Sequence, residues 1–249
     1  MILRRLIEHV KAQHWTAVFL DFVIVVAGVF IGIQVSNWNA AKQEHRREAL
    51  ILDRLASDFR TIETDAQEAV AFHKRSLDGL QTVVEALHDG VLTADKEASF
   101  RNGLRYSYLH RNATERSGTF IEILSSGQVA MIRNEALRTA LIDYDNNVLE
   151  SEQVFMQIRM HQSAYVAAFT LRYDYEVPAQ PIDTETGVLP YQPVGAFDFA
   201  AMLADPAFKN AAQEMRETNR YYYSWHLRNL KHARTVLALL DRASQESKK

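Results

Sequence analysis

Polar and apolar positions along the chain change their period three times. From Ala17 to Val35 the residues are apolar on every side except for Asp21 and Gln34, a run of the length a helix needs to cross about 30 Å of hydrocarbon. Trp15 and Trp38 bracket it, as tryptophans do at a membrane interface. From Ala40 to about His88 the apolar residues recur in alternating steps of three and four: Leu52, Leu55, Phe59, Ile62, Ala66, Ala69, His73, Ser76, Leu80, Val83 and Leu87. That spacing predicts one long helix continuing out of the apolar run and ending at Asp89-Gly90, where glycine can take the left-handed cap conformation. Small and polar members of the seam, among them His73 and Ser76, suit a tight or partly wet bundle core.

Further on, residues 95–111 predict a second helix with Gly103 as a weak point, and residues 115–126 a short third one ending at Gly127. Asn134 can cap a helix whose core side runs through Leu137, Leu141, Tyr144, Val148 and Phe155 to about Tyr175. Asp205-Pro206 starts the last helix, proline being preorganised at the first helical position, with Phe208, Met215, Tyr222, Trp225, Val236 and Leu240 on its buried side. Four of the five prolines fall between 178 and 193, inside a stretch without regular period that reads as a bundle crossover or a docking loop. The expected fold is all-α, a transmembrane helix continuing into an antiparallel bundle of about four helices. Its parts are an amphipathic tail (1–14), the span (15–38), the first part of the bundle (39–175), the crossover (176–198) and the C-terminal helix (199–249).

The apolar run has two rivals to a span. A core helix apolar on every face needs more protein around it than the amphipathic helices supply. A cleaved export signal needs small residues at a cleavage site, and "SNWNAAKQ" offers little. On a helix, Asp21, Val25, Gly28, Gly32 and Ser36 share one face, and Gly28 and Gly32 form a G-x-x-x-G that lets helix backbones approach closely in lipid. The stripe reads as a contact for a second copy or another membrane protein. The competing reading is that glycine is common in spans and Asp21 reaches to the interface. Basic residues near the ends number three before the run and four after it, so charge does not fix the orientation. A short basic tail seldom crosses, which favours the N-terminus inside and the bulk outside the cytoplasm. Residues 2–11, with Ile2, Leu3, Leu6, Ile7 and Val10 on one side, suit an interfacial helix or an extension of the span.

The stretch "FVIVVAGVFIGIQVSNWN", followed later by "TFIEILSSGQVAMIRNEALRTALIDYDNN", resembles a widespread family of uncharacterised bacterial single-span proteins, a domain of unknown function. The second block falls on Glu122, Leu124, Ser125, Ser126, Gly127, Ile132, Asn134, Leu137 and Arg138. The resemblance implies a membrane-anchored helical protein and carries no catalytic residue across.

Composition narrows the chemistry. With 47 % hydrophobic residues, 24 % charged and a net charge of −3, the chain reads as an ordinary folded protein, and nucleic acid is not expected as a partner. It has no cysteine, so thiolate catalysis, disulfides and sulfur-based zinc sites are excluded. Of the Glu-x-x-His pairs that two-iron bundles need, Glu85 to His88 is the single match, at a helix end. His-Glu-x-x-His, G-x-S-x-G and glycine-rich phosphate loops do not occur, and His226 and His232 point to different sides of a helix. No cofactor is expected. Two segments, "FRNGLRYSYLHRNATER" and "NRYYYSWHLRNLKH", mix arginine with aromatics and could hold an anion or an aromatic ligand if Arg101, Arg105, Tyr222, Trp225 and Arg228 converge. The reading favoured is a noncatalytic, single-span protein of the bacterial inner membrane whose extracytoplasmic helical bundle mediates assembly or interaction, with a homodimer or another membrane protein as partner. Its alternatives are a ligand-sensing module using that cleft and a membrane-bound hydrolase.

Overall fold

The computed structural model describes residues 15–111, 115–177 and 192–246. The expected N-terminal tail, and most of the crossover with Val188, Leu189 and Tyr191, lie outside these residues. Among these residues six helices and a two-stranded ribbon follow one another: α1 (Trp15–Asp89), α2 (Glu97–Tyr106), α3 (Gly118–Ser125), a 3-10 turn (Val129–Met131), α4 (Glu135–Thr170), β1 (Tyr173–Tyr175), β2 (Val194–Phe197), α5 (Phe199–Ala204) and α6 (Pro206–Glu246). The protein is all-α apart from that ribbon. By contacts the chain divides into residues up to Leu50 and a bundle from Ile51 onward.

In the bundle, three long helices carry the core. Phe59 of α1 meets Tyr144 of α4 at 4.9 Å, Phe155 of α4 meets Tyr222 of α6 at 5.0 Å, and Phe169 of α4 meets Phe208 of α6 at 5.1 Å. Rising numbers in α4 thus meet falling numbers in α6, so these two run antiparallel. The short helices α3 and α2 each close one end. One apolar cluster joins Leu52, Leu55 and Phe59 to Phe120, Leu141 and Val236. A second joins Leu80, Val83 and Leu87 to Phe100, Phe169, Phe208 and Met215.

Local chemistry explains the helix ends. Gly90 adopts φ +74° and its N–H donates to the Ala86 carbonyl at 3.0 Å, closing α1 where the sequence placed the cap. Ser117 caps α3 by accepting from Phe120 N at 3.1 Å while its hydroxyl donates to Asp58 at 2.7 Å, tying α3 to α1. Burial pushes the Asp58 carboxyl up, but hydrogen bonds from Ser117 and Thr119 outweigh it and hold the group below its usual range. At the other end of α3 the Gly127 N–H donates to Leu124 O and the Gln128 N–H to Ile123 O, a Schellman motif that requires the φ of +69° found at Gly127. Asn134 then caps α4 by accepting from Leu137 N at 3.0 Å, and Arg138 donates to Ile132 O at 2.6 Å. Ile132 and Leu137 are fully buried. The block from Glu122 to Arg138 is thus a folding clasp, a helix stop, a turn and a helix start in succession.

Several boundaries differ from expectation, among them the start of the third helix at Gly118 instead of 115. The second helix stops at Tyr106 instead of 111. The fourth stops at Thr170, because Tyr173 turns into the core, donating from its hydroxyl to Leu104 O at 2.9 Å, and the β-favouring Tyr-Asp-Tyr pairs antiparallel with Val194–Phe197. The C-terminal region is two helices, broken at Asp205-Pro206, where Asp205 accepts from Ala207 N at 2.9 Å. Gly103, expected as a weak point of α2, is instead where α2 crosses α1: a Cβ on Gly79 would stand 2.5 Å from Gly103 N.

One ion pair in this frame carries a measurable cost. Arg116 donates from Nε and Nη2 to the two carboxylate oxygens of Asp145 at 2.6 and 2.8 Å, and the Asp145 side chain is 8 % exposed. Arg116→Ala leaves that carboxylate without its counter-charge. The variant is expected to lose about 2 kcal/mol of stability in chemical denaturation, with part regained on adding Asp145→Asn.

Candidate functional site

Three places in the chain bear on function. The first is the apolar segment of α1, which contains an 18-residue window of mean hydropathy 1.6 with none of it buried. It is long and apolar enough to cross a membrane. Phe19, Phe22, Val25, Phe30 and Trp38 are 61 to 68 % exposed. Within the expected stripe, Val25, Gly28, Gly32 and Ser36 are exposed, and a Cβ added at Gly28 or Gly32 would meet nothing within 4 Å. That face is therefore open to a neighbour. The Asp21 side chain lies outside the described residues. Just past the segment, Lys42 Nζ stands 5.3 Å from the Trp38 ring, a cation over an aromatic face.

The second is the expected arginine and aromatic cleft, and the structure divides its five members. Arg101 and Arg105 line a cavity of about 730 Å³ with Asn102, Glu176 and the backbone of β2. Arg101 is fully engaged there: it donates to Val194 O and Gly195 O at 2.9 and 2.7 Å and to Glu97, and its guanidinium lies 4.7 Å from the Phe197 ring. It fastens the ribbon to α2. The Arg105 guanidinium is 5.1 Å from the ring of its neighbour Tyr106. Tyr222 is fully buried in the bundle. Trp225 and Arg228 form a separate pair at 4.6 Å, with Arg228 donating to Glu150 at 3.3 Å. The five do not line one cleft. Each three-residue step along a helix turns back by about 60°, so with Tyr222 facing the core, Trp225 and Arg228 swing out to its flank.

The third place went unread in the sequence as a unit. Between the two apolar clusters the bundle interior becomes aromatic and polar. His73 of α1 stacks on His226 of α6 at 4.7 Å and on Tyr222 at 5.2 Å, His110 stacks on Tyr222 at 4.4 Å, and Phe155 of α4 closes the layer against His226 at 4.9 Å. His73 Nε2 lies 3.2 Å from the Arg111 carbonyl and donates to it. The Nδ1 atoms of His73 and His110 and both ring nitrogens of His226 are buried without a hydrogen-bond partner among the described residues. Burial is the largest cause holding all three below the usual histidine value, with like charge from the neighbouring imidazoles adding to it for His73 and His226: His73 and His110 are pushed down to about 4 and His226 to about 3. All three are neutral at pH 7. On one side lies a hydrogen-bonded set in which Ser76 donates to Asn219, and Asn219 and Gln162 both donate to Ser107 O. On the other, Asn147 and Ser151 donate to Asn229 Oδ1. His73 and Ser76 on the core seam were the signal; His110 falls in one of the two arginine and aromatic segments, but on a loop whose neighbours no helical period fixes.

Stacked imidazoles can hold neutral aromatic contacts but do not converge on a point, and among the described residues no three His, Asp or Glu side chains are placed to hold a metal ion. Glu85 and His88, the expected half of an iron motif, sit on the surface, Glu85 near Lys96 at 3.6 Å and His88 with Asp89 at 3.0 Å.

No curated protein and no solved structure matches the chain. Residues 21–154 match the model of a family of unknown function (DUF6090), a stretch that runs from the exposed apolar segment through the Glu122–Arg138 clasp into the middle of α4. The match takes in more than half of the chain, which therefore belongs to the family of unknown function DUF6090.

Proposed function

We propose that this is a noncatalytic, single-pass protein of the bacterial inner membrane whose helical bundle, on the periplasmic side, mediates assembly or protein interaction. The observation that carries the reading is the contrast between the two parts of α1. From Ile51 onward its apolar side chains are buried in a bundle that covers its own core, whereas from Phe19 to Val35 the large apolar side chains are exposed. Twelve such positions in water would be a severe aggregation hazard; in lipid they are at home. The glycines at 28 and 32 support a helix neighbour within the bilayer. A ligand-sensing role draws on the cavity over Arg101 and Arg105, two of the five residues it needs.

The absence of native cysteine makes the test clean. Membranes carrying the full chain are washed with alkaline carbonate, and a single Ser224→Cys variant, at an exposed position of α6, is labelled with an impermeant maleimide on intact spheroplasts. The chain is expected to stay with the membrane and to label without lysis. Release by carbonate removes the anchor; labelling only after lysis reverses the orientation.

A further inference from the structure

Helix α4 has two apolar stripes. One, through Leu137, Leu141, Tyr144, Val148 and Phe155, is buried in the bundle. The other comprises Ile142, Asn146, Leu149, Gln153, Met156 and Met160, and all six are exposed. Its four large apolar members stand at 42, 39, 59 and 71 % exposure in that order. The second stripe lies about 140° around the helix from the first, so it faces away from the core. We propose that a second copy of this chain docks on it, α4 against α4 in parallel, as a short two-stranded coiled coil.

The spacing is what singles out a helix as the occupant. Steps of four, three, four, three and four keep a line of side chains facing one straight partner helix, which the 3.6-residue period of a merely amphipathic surface does not. In heptad terms Ile142, Leu149 and Met156 occupy d, and Asn146, Gln153 and Met160 occupy a. The chemistry singles out a copy of the same helix. A carboxamide both donates and accepts, so Asn146 and Gln153 are each satisfied by an identical residue across a twofold axis, and polar a positions fix register and favour pairs of helices. Beside the seam, Arg138 at g, which also holds the Ile132 carbonyl, faces Asp143 at e of the opposite helix; in the next such pair, Asp145 with Glu150, the Asp145 charge is countered by Arg116 of its own chain.

Parallel orientation follows from the carboxamides, because identical a positions face each other only in a parallel pair; the proposed membrane anchor, on which this inference rests, brings the two copies together. The seam is about 27 Å long. It offers less than the roughly 800 Å² per partner that a freely diffusing dimer ordinarily buries. Tethering in one membrane raises the effective concentration of the second copy and lets a stripe of this size suffice.

Ile142→Cys and Met156→Cys, introduced singly into the full chain in membranes, place the new thiols at d positions that face themselves in a parallel pair. Mild oxidation is expected to convert each to a disulfide-linked dimer several-fold more completely than Thr235→Cys, an exposed position on α6. Leu149→Lys with Met156→Lys, both on the surface, is expected to abolish linkage through Ile142→Cys and leave helical content and melting unchanged. Equal linkage at Thr235→Cys, or none at the two d positions in carbonate-resistant membranes, overturns the seam while leaving the anchor intact. Linkage only between mixed Ile142→Cys and Met156→Cys chains overturns the parallel arrangement. Carbonate release with linkage retained overturns the anchor and leaves the seam standing.

Discussion

Gly103→Ala is expected to destabilise the bundle by about 3 kcal/mol, although alanine is the better helix former by about 1 kcal/mol at an unhindered site. The sign reverses because α1 and α2 cross backbone to backbone at this point. An alanine Cβ at 79 would stand 2.5 Å from Gly103 N and 2.8 Å from its Cα, and one at 103 would meet the Gly79 backbone and, at 2.8 Å, the Val83 methyl. Backbone atoms cannot swing aside as a side-chain tip can, so the helices must separate, opening the packing of Leu80, Val83, Phe100 and Leu104, all fully buried. Gly79→Ala is expected to behave alike. Gly118→Ala is the control: nothing lies within 4 Å of a Cβ there, and it should be neutral or slightly stabilising. Denaturant titration of the detergent-solubilised chain, followed by far-ultraviolet circular dichroism, separates the cases. Equal midpoints for Gly103→Ala and Gly118→Ala would mean that the crossing is loose.

That crossing also shows what a sequence can convey. Period and caps are local properties: the long α1 with its stop at Gly90, the cap at Asn134 and the proline start of α6 were all legible, because each is decided by residues within one or two turns of the feature. The role of Gly103 was not, since a helix-interior glycine reads as weakness until the other backbone, twenty-four positions away, is seen against it. The same holds for the expected cleft. Residue types that suit anion binding are present at Arg101 and Arg228, but their neighbours are set by helix rotation and by a ribbon the periodicity did not reveal. Arg101 spends its donors on β2 carbonyls. The open glycine face at 28 and 32 was readable because the periodicity of a single helix defines it; the seam on α4 was hidden by the stronger core stripe on the same helix.

Acidification from pH 7 to pH 5 is expected to cost the bundle on the order of 5 kcal/mol, comparable to the whole stability of many domains. The cause is the layer of His73, His110 and His226. Unfolded, each imidazole titrates near 6.5; folded, burial holds His73 and His110 to about 4 and His226 to about 3. Above 6.5 both states are neutral and stability is fully present. As pH falls below 6.5 the unfolded chain takes up protons that the folded chain refuses, so stability declines by about 1.4 kcal/mol per pH unit for each histidine until the folded values are reached. Among the described residues no carboxylate acts on the layer, and the Arg111 carbonyl, Asn219 and Gln162, which favour the charged form, are outweighed by burial. From α4 the layer meets Phe155, Gln162 and the cation Arg159, from α6 Tyr222 and Asn219, and from the loop the Arg111 carbonyl. Carboxylates held below their usual values, Asp58, Glu122, Asp205 and Glu217, add their own loss only at lower pH, as they too begin to protonate. His226→Phe keeps an aromatic ring against Phe155 and His73 and removes one titrating group. It is expected to flatten the slope between pH 6 and pH 4.5 by about 1.4 kcal/mol per unit and to raise acid stability. A wild-type stability that is level from pH 7 to pH 5, or imidazole resonances titrating near 6.5 in the folded chain, would show that the layer is open to water.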